Sequence, residues 1–224
     1  MSTSTRNLSE QDLNWITKRL PLSVKEMLKT RKDVFLAGGF IRSCITREEV
    51  QDIDLFVSSK DVANLVALKL CPAGHTVFET DNAFTVKVNG IAVQVIHRWV
   101  FNTPLECIAS FDFTIASAAV WYDNGWQSAC DKSYYEDLAA RRLVYRSPKR
   151  NEDAGGSILR VLKFYQRGYR IPLSSLGAVV SRLMSGVDQS KLAKDGGGEE
   201  RLAEILTGLL HEVDPNTPFH RIEF

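Results

Sequence analysis

The chain has 224 residues, of which 44% are hydrophobic and 25% charged, with a formal net charge of +1. This is the composition of an ordinary soluble globular protein, long enough for one large domain or two small ones. The near-balance of charge excludes a bulk attraction to nucleic acid or membrane. Cys44, Cys71, Cys107 and Cys130 are scattered without a Cys-x-x-Cys pair, and His75, His97, His211 and His220 lack metal-ligand spacing. Both facts argue against a zinc site or a disulfide framework and fit a reducing cytosol. There is no apolar run of about 18 residues. The polar start MSTSTRNLSE has no apolar segment of the signal-peptide kind. A cytoplasmic protein with no membrane partner is expected.

In chain order, Leu13, Ile16 and Leu20 recur at helical spacing through Glu10–Arg19, and Pro21 ends the segment. Ser23-x-x-Glu26 has the form of a capping box and predicts a helix over Val24–Arg31. Val34–Ala37 predicts a strand, followed by a Gly38-Gly39 turn and the start of a helix that carries Arg42. Ile53–Val57 predicts a second strand, with Asp52 and Asp54 at its start. Side chains two apart in a strand share a face. The two carboxylates therefore project together while Ile53, Leu55 and Val57 turn to a core. Crowded carboxylates repel unless a cation lies between them, and Mg²⁺ is the cation that hard oxygen ligands select. A glycine turn opening a helix offers free N–H groups and the positive end of a dipole to phosphate. Arg42 adds a fork of donors for phosphate oxygens. Together these are the parts needed for phosphoryl or nucleotidyl transfer.

Ser58 or Ser59 can cap a helix over Lys60–Leu70, which Pro72-Ala73-Gly74 breaks. Strands follow at Thr76–Thr80, Ala83–Val88 and Ile91–Ile96, the last two joined by Asn89-Gly90, a strong hairpin signal. Gln94 stands alone among apolar residues; it either points at the metal site or satisfies a hydrogen bond at a sheet edge. Thr103 caps a helix beginning at Pro104. Asp112 lies between Phe111 and Phe113, and an acid in that setting needs a partner or a ligand. Asp123-Asn124-Gly125 turns between strands at Ala116–Tyr122 and Trp126–Cys130, whose Trp121, Tyr122 and Trp126 are expected to be packing residues in preference to a base-stacking platform.

Tyr134–Ala140 predicts a helix and Leu143–Tyr145 a short strand. The polar break Pro148–Gly156 divides a first domain, 1–150, from a helical second, 151–224. In the second, Ile158, Leu159, Leu162 and Tyr165 mark an apolar helix face, and further helices are expected at Leu176–Met184 and Arg201–His211. Gly196-Gly197-Gly198 is a flexible turn with no strand before it, and Pro215–Phe224 is an irregular tail. The basic run of Arg141, Arg142, Arg146, Lys149 and Arg150, with Arg160, Lys163, Arg167 and Arg170 beyond, is either a local basic patch or a solvated face.

Several of these blocks resemble, in order, the head and neck of the class II CCA-adding enzyme and bacterial poly(A) polymerase family, in the DNA polymerase beta-like nucleotidyltransferase superfamily. Gly38, Gly39, Ile41 and Arg42, then Asp52 and Asp54, match its Gly-Gly-x-Val-Arg and Asp-x-Asp blocks. Asp112-Phe113-Thr114-Ile115 matches its Asp-Phe-Thr-Ile block, and Asp137-Leu138 with Arg142-Leu143 resembles a later one. Leu159-Arg160 through Lys163-Phe164 is similar to its neck helix. Ser110 and Phe111 stand where the family has two arginines, and Ser157 where the neck has its first. The resemblance implies an α+β fold, a small mixed sheet flanked by helices and followed by a helical neck. It implies an NTP substrate, two Mg²⁺ ions on Asp52 and Asp54, and transfer of a nucleoside monophosphate to a hydroxyl such as an RNA 3′ end. Gly38, Gly39 and Arg42 would bind phosphates, and Asp112 would contact ribose or complete the acidic site. Arg160 and Lys163 would approach nucleotide or primer. The competing expectation is a degenerate module that binds nucleotide or RNA without chemistry.

Overall fold

The computed structural model describes residues 4–146, 155–188, 190 and 198–213. The chain divides into two compact units, residues 1–140 and 141–224. The expected boundary at residue 150, Lys149 and Arg150 of the basic run, Gly196-Gly197 and the Pro215–Phe224 tail lie outside the described residues.

The first unit is built on one mixed sheet. Its strands are β1 (Thr5–Arg6), β2 (Val34–Ala37), β3 (Asp52–Val57), β4 (Phe78–Glu79), β5 (Ala83–Val88), β6 (Ile91–Ile96), β7 (Ala118–Tyr122) and β8 (Trp126–Asp131). They lie in the order β1-β8-β7-β2-β3-β6-β5-β4. The β3–β6 pair is parallel, and the other pairs are antiparallel. This mixed α+β architecture is the one expected.

The helices of this unit are α1 (Glu10–Arg19), α2 (Leu22–Thr30), α3 (Gly39–Thr46), α4 (Lys60–Leu70), α5 (Pro104–Ser110) and α6 (Tyr134–Ala139). Ile53, Leu55 and Val57 of β3 and Val93 and Val95 of β6 are fully buried on the side where α4 packs across β3, β5 and β6. On the opposite face α5 buries Cys107 and Ile108 against Phe35, Ala37, Phe56 and Ala119.

Three local expectations change. The Ser23 capping box does not form: α2 starts at Leu22 with Pro21 as its N-cap, so Ser23 is already inside the first turn. The strand expected at Thr76–Thr80 shrinks to Phe78–Glu79, because the Pro72–Thr76 segment leaves the sheet edge. Ala116 belongs to a 3₁₀ turn, Thr114–Ala116, so β7 starts at Ala118. Ser59 and Thr103 do cap α4 and α5, accepting from the N–H groups of Val62 and Glu106.

The second unit, among the described residues, holds α7 (Gly156–Gln166), α8 (Leu173–Met184) and α9 (Glu199–Val213). In place of a continuous strand at Leu143–Tyr145 there are isolated bridges at Arg142 and Tyr145, the former to Arg170. The apolar face expected on α7 also changes. Val161 and Phe164 turn inward with Ser157, while Leu162 and Tyr165 are exposed. Two apolar stripes compete on this helix, and tertiary contact selects the one that helical spacing alone does not. No helix among the described residues is long and apolar enough to cross a membrane.

All four cysteines are free. Burial pushes the Cys44 thiol up to about 11 and that of Cys130 to about 12. Cys107 is buried too, whereas Cys71, at the end of α4, is partly exposed.

Leu55 is fully buried in a central strand, so Leu55→Ala should cost about 2–5 kcal/mol, read as a lower urea midpoint with unchanged m-value. Just before β2, Arg31 donates to both oxygens of Asp33, at 2.9 and 2.6 Å. These hydrogen bonds hold the Asp33 carboxyl below its usual range. The pair therefore stabilises the fold above the unfolded carboxyl's pKa of about 3.9 and loses that effect as pH falls through the depressed folded value. Asp33→Asn should cost at most about 1 kcal/mol at neutral pH, with the gap to wild type closing in acid denaturation curves.

Candidate active site

The site is assembled where β2 ends and β3 begins. Gly38 follows Ala37 with φ +83 and ψ −132, a conformation open to glycine, and caps α3. Its N–H donates to the Ala118 carbonyl at 3.1 Å, tying the bend to β7. A Cβ at Gly38 would lie 3.9 Å from Oδ2 of Asp54 and 3.5 Å from Cε1 and Cζ of Phe111. The backbone bend, a carboxylate oxygen and an aromatic ring edge therefore converge on one point.

Asp52 and Asp54 are half-buried, and Ile53 and Leu55 are fully buried, which is the two-residue alternation expected of β3. The two acids share a face. Parallel pairing sets Asp54 beside Gln94 and Asp52 beside Ala92. Gln94 is thus on the carboxylate face, in a strand flanked on both sides, and not at an edge.

Arg42 is buried on the first turns of α3. Its Nε lies 3.7 Å from Oε2 of Glu48, and its Nη2 is 4.0 Å from where a Cβ at Gly39 would stand. The guanidinium therefore lies over the diglycine bend, with its charge partly met by Glu48. Asp112 is buried between α5 and the 3₁₀ turn, and that turn packs on α3. Thr114 Oγ1 donates to Oδ2 of Asp137 at 2.6 Å, both groups buried, and so anchors the segment after Asp112 to α6. Gly38, Gly39, Arg42, Asp52 and Asp54 come together in the first unit, and the segment of Asp112 packs beside them. Arg160 and Lys163 are on α7 of the second unit, Lys163 exposed.

Two neighbours of the site are set by tertiary contacts that no local pattern predicts. Phe111, T-shaped on Phe56 at 5.9 Å between ring centroids, reaches Gly38 only through the tertiary fold. Glu48 meets Arg42 because α3 ends in a left-handed Arg47 that turns the chain back. No cluster of three or more His, Cys, Asp or Glu side chains suited to a metal occurs among the described residues.

Gly38→Ala would place a methyl group in a left-handed backbone against Phe111. It should destabilise the fold by about 1–3 kcal/mol in urea unfolding. Gly39→Ala, whose Cβ would meet only Arg42 Nη2 at 4.0 Å, should stay within about 1 kcal/mol of wild type.

The fold has counterparts among solved structures. A CCA-adding enzyme in complex with CTP aligns with a TM-score of 0.57 over 92% of this chain and 50% of its own, at 19% identity. The complex with ATP gives 0.59 over 94% and 51%, also at 19% identity. The Thermotoga maritima CCA-adding enzyme complexed with tRNA gives 0.57 over 96% and 57%, at 17% identity. The chain thus spans about half the length of these enzymes. At such identities the likeness is one of fold, and it bears out the expected head-domain architecture. No curated protein matches the chain. Kinship in sequence comes from elsewhere: the model of the Gabija anti-defense 2 family matches residues 7–141, a span that holds the diglycine bend, both aspartates of β3 and Asp112. By that match, over more than half of its length, the chain belongs to the Gabija anti-defense 2 family.

Proposed function

We propose that the chain is a Mg²⁺-dependent nucleotidyltransferase, moving a nucleoside monophosphate from an NTP to a hydroxyl acceptor, an RNA 3′ end. The observation that carries this reading is the convergence at Gly38: a helix-opening bend with the Asp54 carboxylate 3.9 Å from where a Cβ on Gly38 would stand. The fold it shares with enzymes solved with CTP, ATP and tRNA supports it.

The donor set suits Mg²⁺. Asp52 and Asp54 supply hard carboxylate oxygens on one face, and Gln94 brings an amide oxygen to the neighbouring position. Mg²⁺ typically binds through one or two carboxylates and completes its shell with water and substrate phosphates. When bound, the two ions would lower the pKa of the attacking hydroxyl and neutralise charge on the phosphates. The chain's own groups do the rest. The N–H groups opening α3, at Gly39 and beyond, receive the phosphate oxygens, favoured by the helix dipole. Arg42 contributes fixed positive charge over the bend. The acceptor oxygen attacks the α-phosphorus, the bond from that phosphorus to the bridging oxygen breaks, pyrophosphate leaves and the hydroxyl proton passes to solvent. Asp112 contacts ribose or completes the acidic site, and Arg160 and Lys163 act on nucleotide or primer.

The family's name describes an activity against Gabija defence. On this reading, nucleotidyl transfer in the cytoplasm is the chemistry by which the chain exerts it. One observation favours a second reading, a module that holds nucleotide or RNA without turnover. The ring of Phe111 lies against the bend, where the resembling enzymes have an arginine.

Incubation with Mg²⁺ and each labelled NTP, with and without RNA, separates the two. Asp52→Ala and Asp54→Ala should each lower pyrophosphate release by about 100-fold or more. Asp52→Ala should be at least as stable as wild type in EDTA, because one of two neighbouring negative charges is gone. Absence of turnover together with an NTP-dependent rise in Tm would establish the binding module instead.

A further inference from the structure

The transfer proposed above requires a second substrate, and the sheet indicates the side from which it comes. The phosphate-binding bend lies between β2 and α3, on the β2 side of β3. In phosphoryl transfer the attacking and leaving oxygens are roughly in line. With pyrophosphate leaving toward the bend, the acceptor hydroxyl arrives from the other side of β3, across β6 and β5.

That side carries a graded row of side chains. Register pairs Asp54 with Gln94, Gln94 with Thr85, and Thr85 with Phe78. Directly opposed residues share a face, so four successive strands present these groups together, and at about 4.8 Å per strand Phe78 lies roughly 14 Å from Asp54. A parallel row runs from Asp52 through Ala92 to Lys87. Between the two ends of this strip stand Gln94, Ala92 and Thr85, all partly buried. At its far end Phe78 is 70% exposed and Lys87 is exposed. Gly74, His75 and Thr76 from the loop before β4, with Phe78, Thr85 and Lys87, line an open groove of about 620 Å³.

We infer that this groove binds the acceptor, and that the acceptor is a single-stranded nucleic acid with its 3′ end directed at Asp52 and Asp54; the inference rests on the proposed transfer. An aromatic face beside a cation suits a nucleobase and its phosphate, and Phe78, on a two-residue edge strand, leaves most of its surface to solvent. An extended peptide added to the edge fits less well. The type I′ turn at Asn89-Gly90 makes Val88, Val86 and Phe84 bond inward to β6, and Thr85 faces β4. Beyond β4 only Lys87 directs backbone groups outward, too short a run for strand addition.

The test is equilibrium binding, by fluorescence anisotropy, of a labelled RNA oligonucleotide ending in a 3′-deoxynucleotide, together with extension kinetics on the same sequence bearing a 3′-hydroxyl. Phe78→Ala should raise the oligonucleotide Kd and acceptor KM about tenfold, with the NTP KM and kcat unchanged, and Phe78→Trp should restore both. Lys87→Glu should weaken binding and reduce the salt slope by about one. Both side chains are exposed, so folding is preserved. Unchanged Kd in Phe78→Ala and Lys87→Glu would overturn the inference, as would absence of RNA binding by wild type or transfer of labelled nucleotide to protein in place of RNA. Binding that depends on Phe78 without pyrophosphate release would support the groove while refuting the transferase reading.

Discussion

Much of this protein depends on residue 38 having no side chain. The positive φ of Gly38 turns the chain from β2 into α3 in a single step, and its N–H is spent on Ala118 of β7. The same residue lets a backbone come close to a carboxylate with nothing between them. A methyl group would fill the point shared by Asp54, Phe111 and the bend. The glycine is therefore a geometric condition for the site as well as for the turn.

The face on which the carboxylates stand is divided. On one side of it Phe35 stacks on Phe56 at 6.2 Å, and Phe101 and Phe111 pack on Phe56 at 6.0 and 5.9 Å, with α5 closing over them. On the other, Gln94 and Thr85, both partly buried, and the exposed Lys87 form a polar strip. Asp52 and Asp54 lie at the boundary, half-buried. Next to a dry aromatic floor the effective dielectric is low, and charges interact more strongly than they would in water. On the proposed function, such a position suits groups that hold cations and orient phosphates while staying open to solvent on one side.

What the sequence disclosed follows the range of the interactions involved. The pairing of Asp52 with Asp54 on one face, the helix-opening bend, the Asn89-Gly90 hairpin and the Thr103-Pro104 start of α5 depend on residues a few positions apart, and period and turn chemistry reveal them. The neighbours of the site do not. Gln94 comes beside Asp54 through a parallel pairing of strands some forty residues apart, and Phe111 meets Gly38 across seventy; no local pattern encodes either contact. The misjudged elements share a cause. Ser23 has the spacing of a capping box but loses to Pro21, already set at the helix start. The stripe of Leu162 and Tyr165 is as apolar as that of Val161 and Phe164, and only the packing partner decides between them.

The distribution of thiols has a practical corollary. Cys44 and Cys130 are held protonated by burial, Cys107 is enclosed, and Cys71 is the partly open one. It stands at the C-terminal end of α4, directly before the Pro72–Thr76 segment that walls the groove beside β5. Maleimide chemistry on the native chain would thus direct a spectroscopic reporter to a single position at that wall, without introducing any cysteine by mutation.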